Sequence, residues 1–280
     1  MTRMSFAASR RRLAALSLLA VLGASILGPA AAVAADVTVD PATITAEEAH
    51  MVTLLNADRT ARGLVPVQID TRLMAIARAR SADMVAKNYF SHTQPDGRNV
   101  FDILTASRIT WYGAGEIIAW NNYPMDTSAT TANRQWMESP GHKAIIISTS
   151  YNYVGVGLAV DAATGKKLWT GVYMKGPDRT GARASVGTAS VGSGTTTSTR
   201  RVTIPWAGAD VRLQVLTAGL RSFVLQKRMD DGTFATVWAS TTIRTATFTM
   251  SLGHRYEIRV AAFDNRGNRG AWVYKVVDLR

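Results

Sequence analysis

The sequence predicts a layered α+β domain followed by an all-β domain of the sandwich type, and three observations carry that expectation. Within about residues 45–176 the apolar pattern runs helix, helix, loop, helix and then hairpin, an order that sets helices against a short sheet. Residues 177–198 are rich in Gly, Ser, Thr and Ala with almost no large apolar side chain, so they read as a flexible linker that cannot bury enough surface to fold. From Arg201 onward the pattern is strands alone, six extended runs within about 80 residues, which argues for a β-sandwich.

A segment for export precedes these domains. Residues 1–12 carry Arg3, Arg10, Arg11 and Arg12 and no acid. Leu13 to Gly28 is almost wholly apolar, and Ala32-Val33-Ala34 fits a signal-peptidase site two residues ahead of Asp36. The apolar stretch is about 16 residues, short of the ~20 that a membrane span needs, so a cleaved signal is favoured over an uncleaved anchor. Ser9-Arg10-Arg11-Arg12-Leu13 also resembles a twin-arginine signal. The expected division is therefore signal 1–35, α+β domain 36–176, linker 177–198 and all-β domain 199–280, with the mature chain secreted.

Along the mature chain the first helix is expected to open at Thr45, with Glu48 three residues on completing a capping box, and to stop at Gly63. The second should run from its cap Asp70 to Lys87 with Leu73, Ile76, Ala77, Met84 and Val85 as the buried stripe. Gln94-Pro95-Asp96-Gly97 is a tight turn. A third helix is expected from about Ser128 to Glu138, after which Ser139-Pro140 restarts helix with Pro at the first helical position. Val154, Val156, Leu158 and Val160 give one strand an apolar face, while Gly155 and Gly157 on its other face allow a helix to approach closely. Asp161–Lys166 turns the chain into a partner strand, Leu168–Met174.

The chain has no cysteine, so the exported domains are held by their cores alone and any metal would need His, Asp or Glu ligands. The net charge of +12 is unevenly spread. Residues 36–176 balance 13 Lys/Arg with 13 Asp/Glu, whereas residues 199–280 carry 13 against 6. No nucleic-acid motif accompanies this charge, which suits a solubilising surface or contact with an acidic cell-envelope polymer or anionic lipid.

Four side chains stand out. His92 follows the second helix in Asn88-Tyr89-Phe90-Ser91-His92, and Glu116 is a lone acid among glycines and apolar residues, costly to bury without a partner. Glu138 and His142 flank Pro140, so the carboxylate ends one helix while the imidazole opens the next. His50 and His254 read as structural hydrogen bonders. Two imidazoles and two carboxylates in one cleft would suit zinc or another divalent ion, or else rigid His–Glu pairs without metal.

Five ordered blocks resemble the CAP superfamily, which includes cysteine-rich secretory proteins, insect venom allergens and plant pathogenesis-related proteins. They are Leu55-Asn56-Ala57-Asp58-Arg59; Leu73-Met74-Ala75-Ile76-Ala77 with Ser81-Ala82-Asp83-Met84; Tyr89-Phe90-Ser91-His92; Gly115-Glu116-Ile117-Ile118-Ala119; and Trp136-Met137-Glu138-Ser139-Pro140-Gly141-His142-Lys143. The resemblance implies an α-β-α sandwich whose cleft is lined by the tetrad His92, Glu116, Glu138 and His142. Ile117 and Ile145 stand where the family commonly has Asn, and the cysteines of its animal and plant members are missing. Trp206 and Tyr256, with Asp264-Asn265-Arg266-Gly267, resemble a fibronectin type III domain. The functional expectation is a cleft that binds a lipid, glycan or peptide, with a divalent metal as an optional companion. The alternative is a metal-assisted hydrolase with Glu116 or Glu138 as general base. No nucleophile elbow or HExxH helix supports catalysis independently.

Overall fold

The computed structural model describes residues 40–280, so the expected signal sequence lies outside the described residues. Helix α1 spans Pro41–Thr60 and is capped by Asp40, whose carboxylate accepts from the Ala42 N–H at 2.9 Å. The helix thus opens upstream of the expected Thr45 cap, because an acidic cap followed by proline is itself a strong start signal. Glu48 is fully buried and makes no capping box; it accepts from Arg78 Nε at 2.9 Å and from the Leu158 N–H at 3.1 Å. Gly63, with φ +72°, lies just past the end of the helix.

Strand β1, Gln68–Ile69, leads to α2, Thr71–Ala86, which Asp70 caps as expected. A further helix, α3 at Val100–Ala106, has a complete capping box from Asn99 and Asp102. Strand β2 is Gly113–Asn121, α4 is Met125–Glu138 and α5 is Pro140–Ile146. Ser139 occupies the cap position of α5 without a side-chain capping bond. Strands β3, Tyr153–Val160, and β4, Lys167–Lys175, form the expected hairpin.

The sheet order is β1-β3-β4-β2, with β1 parallel to β3 and the other pairs antiparallel. Helices α1 and α4 join the apolar cluster of Leu55, Trp136, Val154 and Trp169, and the Trp169 indole donates to Ser128 at 2.9 Å. A separate cluster joins Leu73 and Ala77 of α2, Leu104 of α3, and Val172 and Met174 of β4. Two helical layers thus enclose the sheet. Gly155 and Gly157 make the α2 layer fit: a Cβ at either would stand 2.1 Å from an α2 backbone atom, Leu73 C and Arg78 N respectively.

The expected flexible linker is largely structured. It supplies β5, Arg183–Val186, and β6, Ser190–Ser193, which lie one after the other along the same edge of β7, Thr199–Ala209. Strand pairing needs only backbone groups, so a Gly/Ser/Thr-rich stretch can join a sheet edge without a core of its own. Ala182 and Asp178 are buried, and Asp178 accepts from the Ala218 N–H at 2.8 Å. The six expected strands follow as β7 itself, β8 (Leu220–Met229), β9 (Ala235–Thr241), β10 (Thr245–Ser251), β11 (Arg255–Asp264) and β12 (Val273–Asp278). One sheet runs β10-β7-β5 with β6 also on β7, and the other β12-β11-β8-β9. Val202, Ile204 and Trp206 of the first share one apolar cluster with Leu225, Ile258 and Val260 of the second.

The β-rich region also touches the helical one. Gln214 accepts from the Val65 N–H at 2.8 Å, and Leu213 is buried in the cluster of Leu73 and Val172. Among the described residues, no helix is long and apolar enough to cross a membrane.

Candidate functional site

The site is built around a buried charge that the sequence pattern concealed. Arg80 lies on the inner stripe of α2 with Leu73, Ile76, Ala77 and Met84, and it is fully buried. Across from it, β2 alternates: Ile117 and Ala119 enter the cluster on the α1/α4 side, while Ile118 packs with Met84 of α2. Glu116 shares the face of Ile118, and its carboxylate meets the Arg80 guanidinium, Nε to Oε1 at 2.8 Å. Burial alone lowers the Arg80 pKa, but the Glu116 carboxylate outweighs it and the net shift is upward.

Arg80 organises more than its counter-ion. Its Nη1 donates to the Tyr89 hydroxyl at 2.6 Å, and its Nη2 donates to the Ser91 and His92 carbonyls at 2.8 and 3.2 Å. Tyr89 in turn donates to Asp83 at 2.6 Å. The segment carrying His92 is therefore anchored through one guanidinium. Two ordinary outcomes of burying a charge, an unpaired donor and an unpaired acid, are both avoided.

His92 Nδ1 lies 2.8 Å from Glu116 Oε2, with the imidazole side chain 54 % exposed against 3 % for the carboxylate. The ring is thus held through Nδ1 by a fixed carboxylate, and among the described residues its Nε2 has no hydrogen-bond partner. His142, brought in by α5, stands with its ring centroid 6.4 Å from that of His92. Burial, then the neighbouring His92, lowers the His142 pKa below its ordinary value.

Glu138 sits differently from Glu116. It ends α4 exposed to solvent, and among the described residues its carboxylate has no hydrogen bond or ion pair. No three of His92, Glu116, Glu138 and His142 bring ligand atoms within 4.8 Å of one another. The structure brings together His92, Glu116 and His142, with Arg80 as the residue that the sequence reading missed. For a metal, Glu116 already spends both oxygens on Arg80 and His92, so the donor set reduces to two imidazole nitrogens, short of the four-ligand zinc norm. The same occupancy makes Glu116 a poor general base and a good orienter of His92. His50 and His254 sit in peripheral pairs with Glu47 at 3.5 Å and Asp230 at 2.7 Å.

Two grooves flank the imidazoles. One, of about 450 Å³, includes Phe90, Trp120, Tyr123, Gln135 and His142 in its lining. The other, of about 290 Å³, is bounded by His92, Glu116, Phe101, Ile145 and Tyr151. The two isoleucines at expected Asn positions have different fates. Ile117 faces the core away from Glu116, whereas Ile145 packs against Gly115, where a Cβ would lie 3.3 Å from its side chain.

Comparison with known proteins matches this region. Residues 52–173 fit the family model described as "CAP: Cysteine-rich secretory protein family". The Bacillus subtilis uncharacterized protein YkwD is 35 % identical over 134 residues, 48 % of this chain and 49 % of that protein. The chain thus spans about half the length of this curated relative. A crystal structure of an extracellular protein containing an SCP domain from Bacillus anthracis has 24 % identity and a TM-score of 0.43, covering 50 % of this chain and 45 % of that one. An outer surface protein from Borrelia burgdorferi has 16 % identity and a TM-score of 0.44, covering 50 % of this chain and 98 % of that one. Residues 52–173 thus match the CAP domain of the cysteine-rich secretory protein family.

Proposed function

We propose that the mature protein is exported and binds an extracellular ligand in the CAP-domain cleft, against the imidazoles of His92 and His142. The observation that carries this reading is the buried Arg80–Glu116 pair, which fixes an exposed imidazole between two open grooves. A fold needs no such arrangement for stability alone, since replacing a buried ion pair by apolar residues of similar volume is often neutral or stabilising. Export rests on the charged, apolar and small-residue regions of residues 1–35. The β-rich half is read as a fibronectin type III-like sandwich that presents the CAP domain and carries the basic surface toward acidic envelope polymers.

The test is a ligand screen by two-dimensional NMR on the mature chain, with His92→Ala and His142→Ala as controls. A ligand of this site shifts resonances of both grooves and loses affinity in both variants, while their melting temperatures stay near that of the parent. Ligands that bind equally well to all three proteins would refute the assignment. Zinc belongs to the same experiment: a two-imidazole site binds it weakly, and occupancy falls with pH as protons compete for the imidazoles.

A second reading, an extracellular hydrolase, is favoured by one detail. A carboxylate-held imidazole with its other nitrogen facing a cleft is the arrangement of a general base. In that reading His92 takes the proton and Glu116 positions it. His92→Ala would then abolish turnover, and Glu138→Gln would leave it intact.

A further inference from the structure

We infer that the occupant of the larger groove is an uncharged glycan strand, a proposal that rests on the cleft-binding reading above and names its ligand class. The groove presents three large rings to solvent, Phe90 at 43 %, Trp120 at 44 % and Tyr123 at 51 % exposure. Scattered single aromatics on a surface mean little, but three along one groove form a patch of the kind that marks a binding site. The Lys166 ammonium sits 4.4 Å from the Trp120 ring centroid, holding one face of the indole and fixing the ring.

The remaining lining decides between ligand classes. It contains no Asp, Glu, Lys or Arg, although the chain as a whole carries a net charge of +12. Its one titratable group besides the Tyr123 phenol, His142, is held toward its neutral form by burial and by His92. Lys166, already stacked on Trp120, is the one cation placed beside this lining, so a multiply charged peptide or acidic polymer would lose its hydration for at most a single counter-charge. The groove faces solvent and carries the exposed amides of Asn122 and Gln135, which among the described residues have no side-chain hydrogen-bond partner. A hydrocarbon tail would leave these amides unpaired and one of its own sides in water, so the groove is a poor lipid site.

A neutral sugar chain satisfies every term. The C–H faces of its rings stack on Trp120, Tyr123 and Phe90, and its hydroxyl and acetamido groups pair with the free amides and with His142. A volume of about 450 Å³ falls within the 300–1,000 Å³ typical of small-molecule sites and accommodates a short oligosaccharide segment.

The experiment titrates the full mature chain with chitotetraose and cellotetraose, followed by indole resonances and calorimetry. Oleate, a neutral peptide and a polyuronate serve as probes of the competing classes. The expected result is roughly micromolar to millimolar binding of at least one neutral tetrasaccharide, shifting the Trp120 indole. Binding should weaken roughly tenfold in Trp120→Ala and again in Tyr123→Ala. Both substitutions fall at exposed side chains, and circular dichroism verifies that each variant is folded. Binding of oleate or peptide alone, lost in Trp120→Ala, would overturn the glycan while leaving the cleft as a ligand site. Tetrasaccharide binding indifferent to both substitutions, or preference for the polyuronate, would also overturn it. Silence from every probe would count against the cleft-binding reading itself.

Discussion

Replacing Arg80 by methionine keeps most of the side-chain volume but deletes the charge that faces Glu116. The guanidinium makes five hydrogen bonds: two to Glu116, one to Tyr89 and two to the carbonyls of Ser91 and His92. Its side chain and that of Glu116 are 0 % and 3 % exposed, so water cannot substitute for the lost donors. Removing one partner of a buried ion pair costs about 3–5 kcal/mol, because the other is left uncompensated. For a unit of this size each kcal/mol lowers Tm by about 2–4 °C, which places the variant about 6–20 °C below the parent. Arg80→Met/Glu116→Gln removes the stranded charge as well and should regain part of the loss, which separates electrostatics from packing. The assay is thermal and urea denaturation followed by near-ultraviolet circular dichroism. A single variant within about 1 kcal/mol of the parent would refute the buried-pair argument, since that is the range of an exposed bridge.

Other predictions test separate links. Gly157→Ala should cost about 1–3 kcal/mol or more, because a Cβ there would stand 2.1 Å from the α2 backbone, whereas Gly192→Ala, with its nearest neighbour at 4.0 Å, should be tolerated; paired melts decide. Trypsin should be slow at Arg179 and Arg183, whose backbone is held by the Tyr153 hydroxyl and by β5 pairing; rapid release of intact 199–280 would contradict this. The lowered His142 pKa means that the unfolded chain binds a proton more readily than the folded one. This contribution to stability is therefore complete above about pH 6.5 and is lost as pH falls toward the folded value. NMR titration should place His142 below the ordinary value, and His92→Ala should raise it without full recovery, since burial is the larger cause.

The helical half was legible where local chemistry dictates geometry. Asp70 is the cap of α2 because its carboxylate has a free backbone donor to meet, and the glycines of β3 were readable as a helix contact. Helix α3 was missed: its seven residues are too few for an amphipathic period, although Asn99 and Asp102 spell its capping box. Strand β2 hid for the opposite reason. Buried on both faces along most of its length, it shows no alternation to separate it from a loop of small and apolar residues. Residues 177–198 misled because composition reports the inability to form a core and says nothing of an edge that another strand offers. There β7 supplies the backbone partners, and the few apolar side chains such as Ala182 and Val186 reach a core built by other strands.

The site was legible in its imidazoles and only half so in its carboxylates. Glu116 was expected to need a partner, and the sequence held the clue to it: an arginine at the position of the α2 stripe where an apolar side chain belongs. A charge on a buried stripe requires an opposite charge on whatever packs against it, and the lone acid of β2 meets that requirement. The same logic separates the two glutamates. Glu116 is fixed by an arginine on the buried face of a helix, whereas Glu138 ends a helix in solvent with no cation to draw it inward. Motif likeness treats the four residues alike, but their surroundings do not. A site assembled from His92, Glu116 and His142 needs only the ordered segment after α2 and the break at Pro140, and both depend on Arg80 or on backbone geometry rather than on Glu138. Glu138→Gln is therefore expected to leave stability and ligand affinity unchanged, while Glu116→Gln should weaken both. The reverse ranking in the same melts and titrations would restore the second carboxylate to the site.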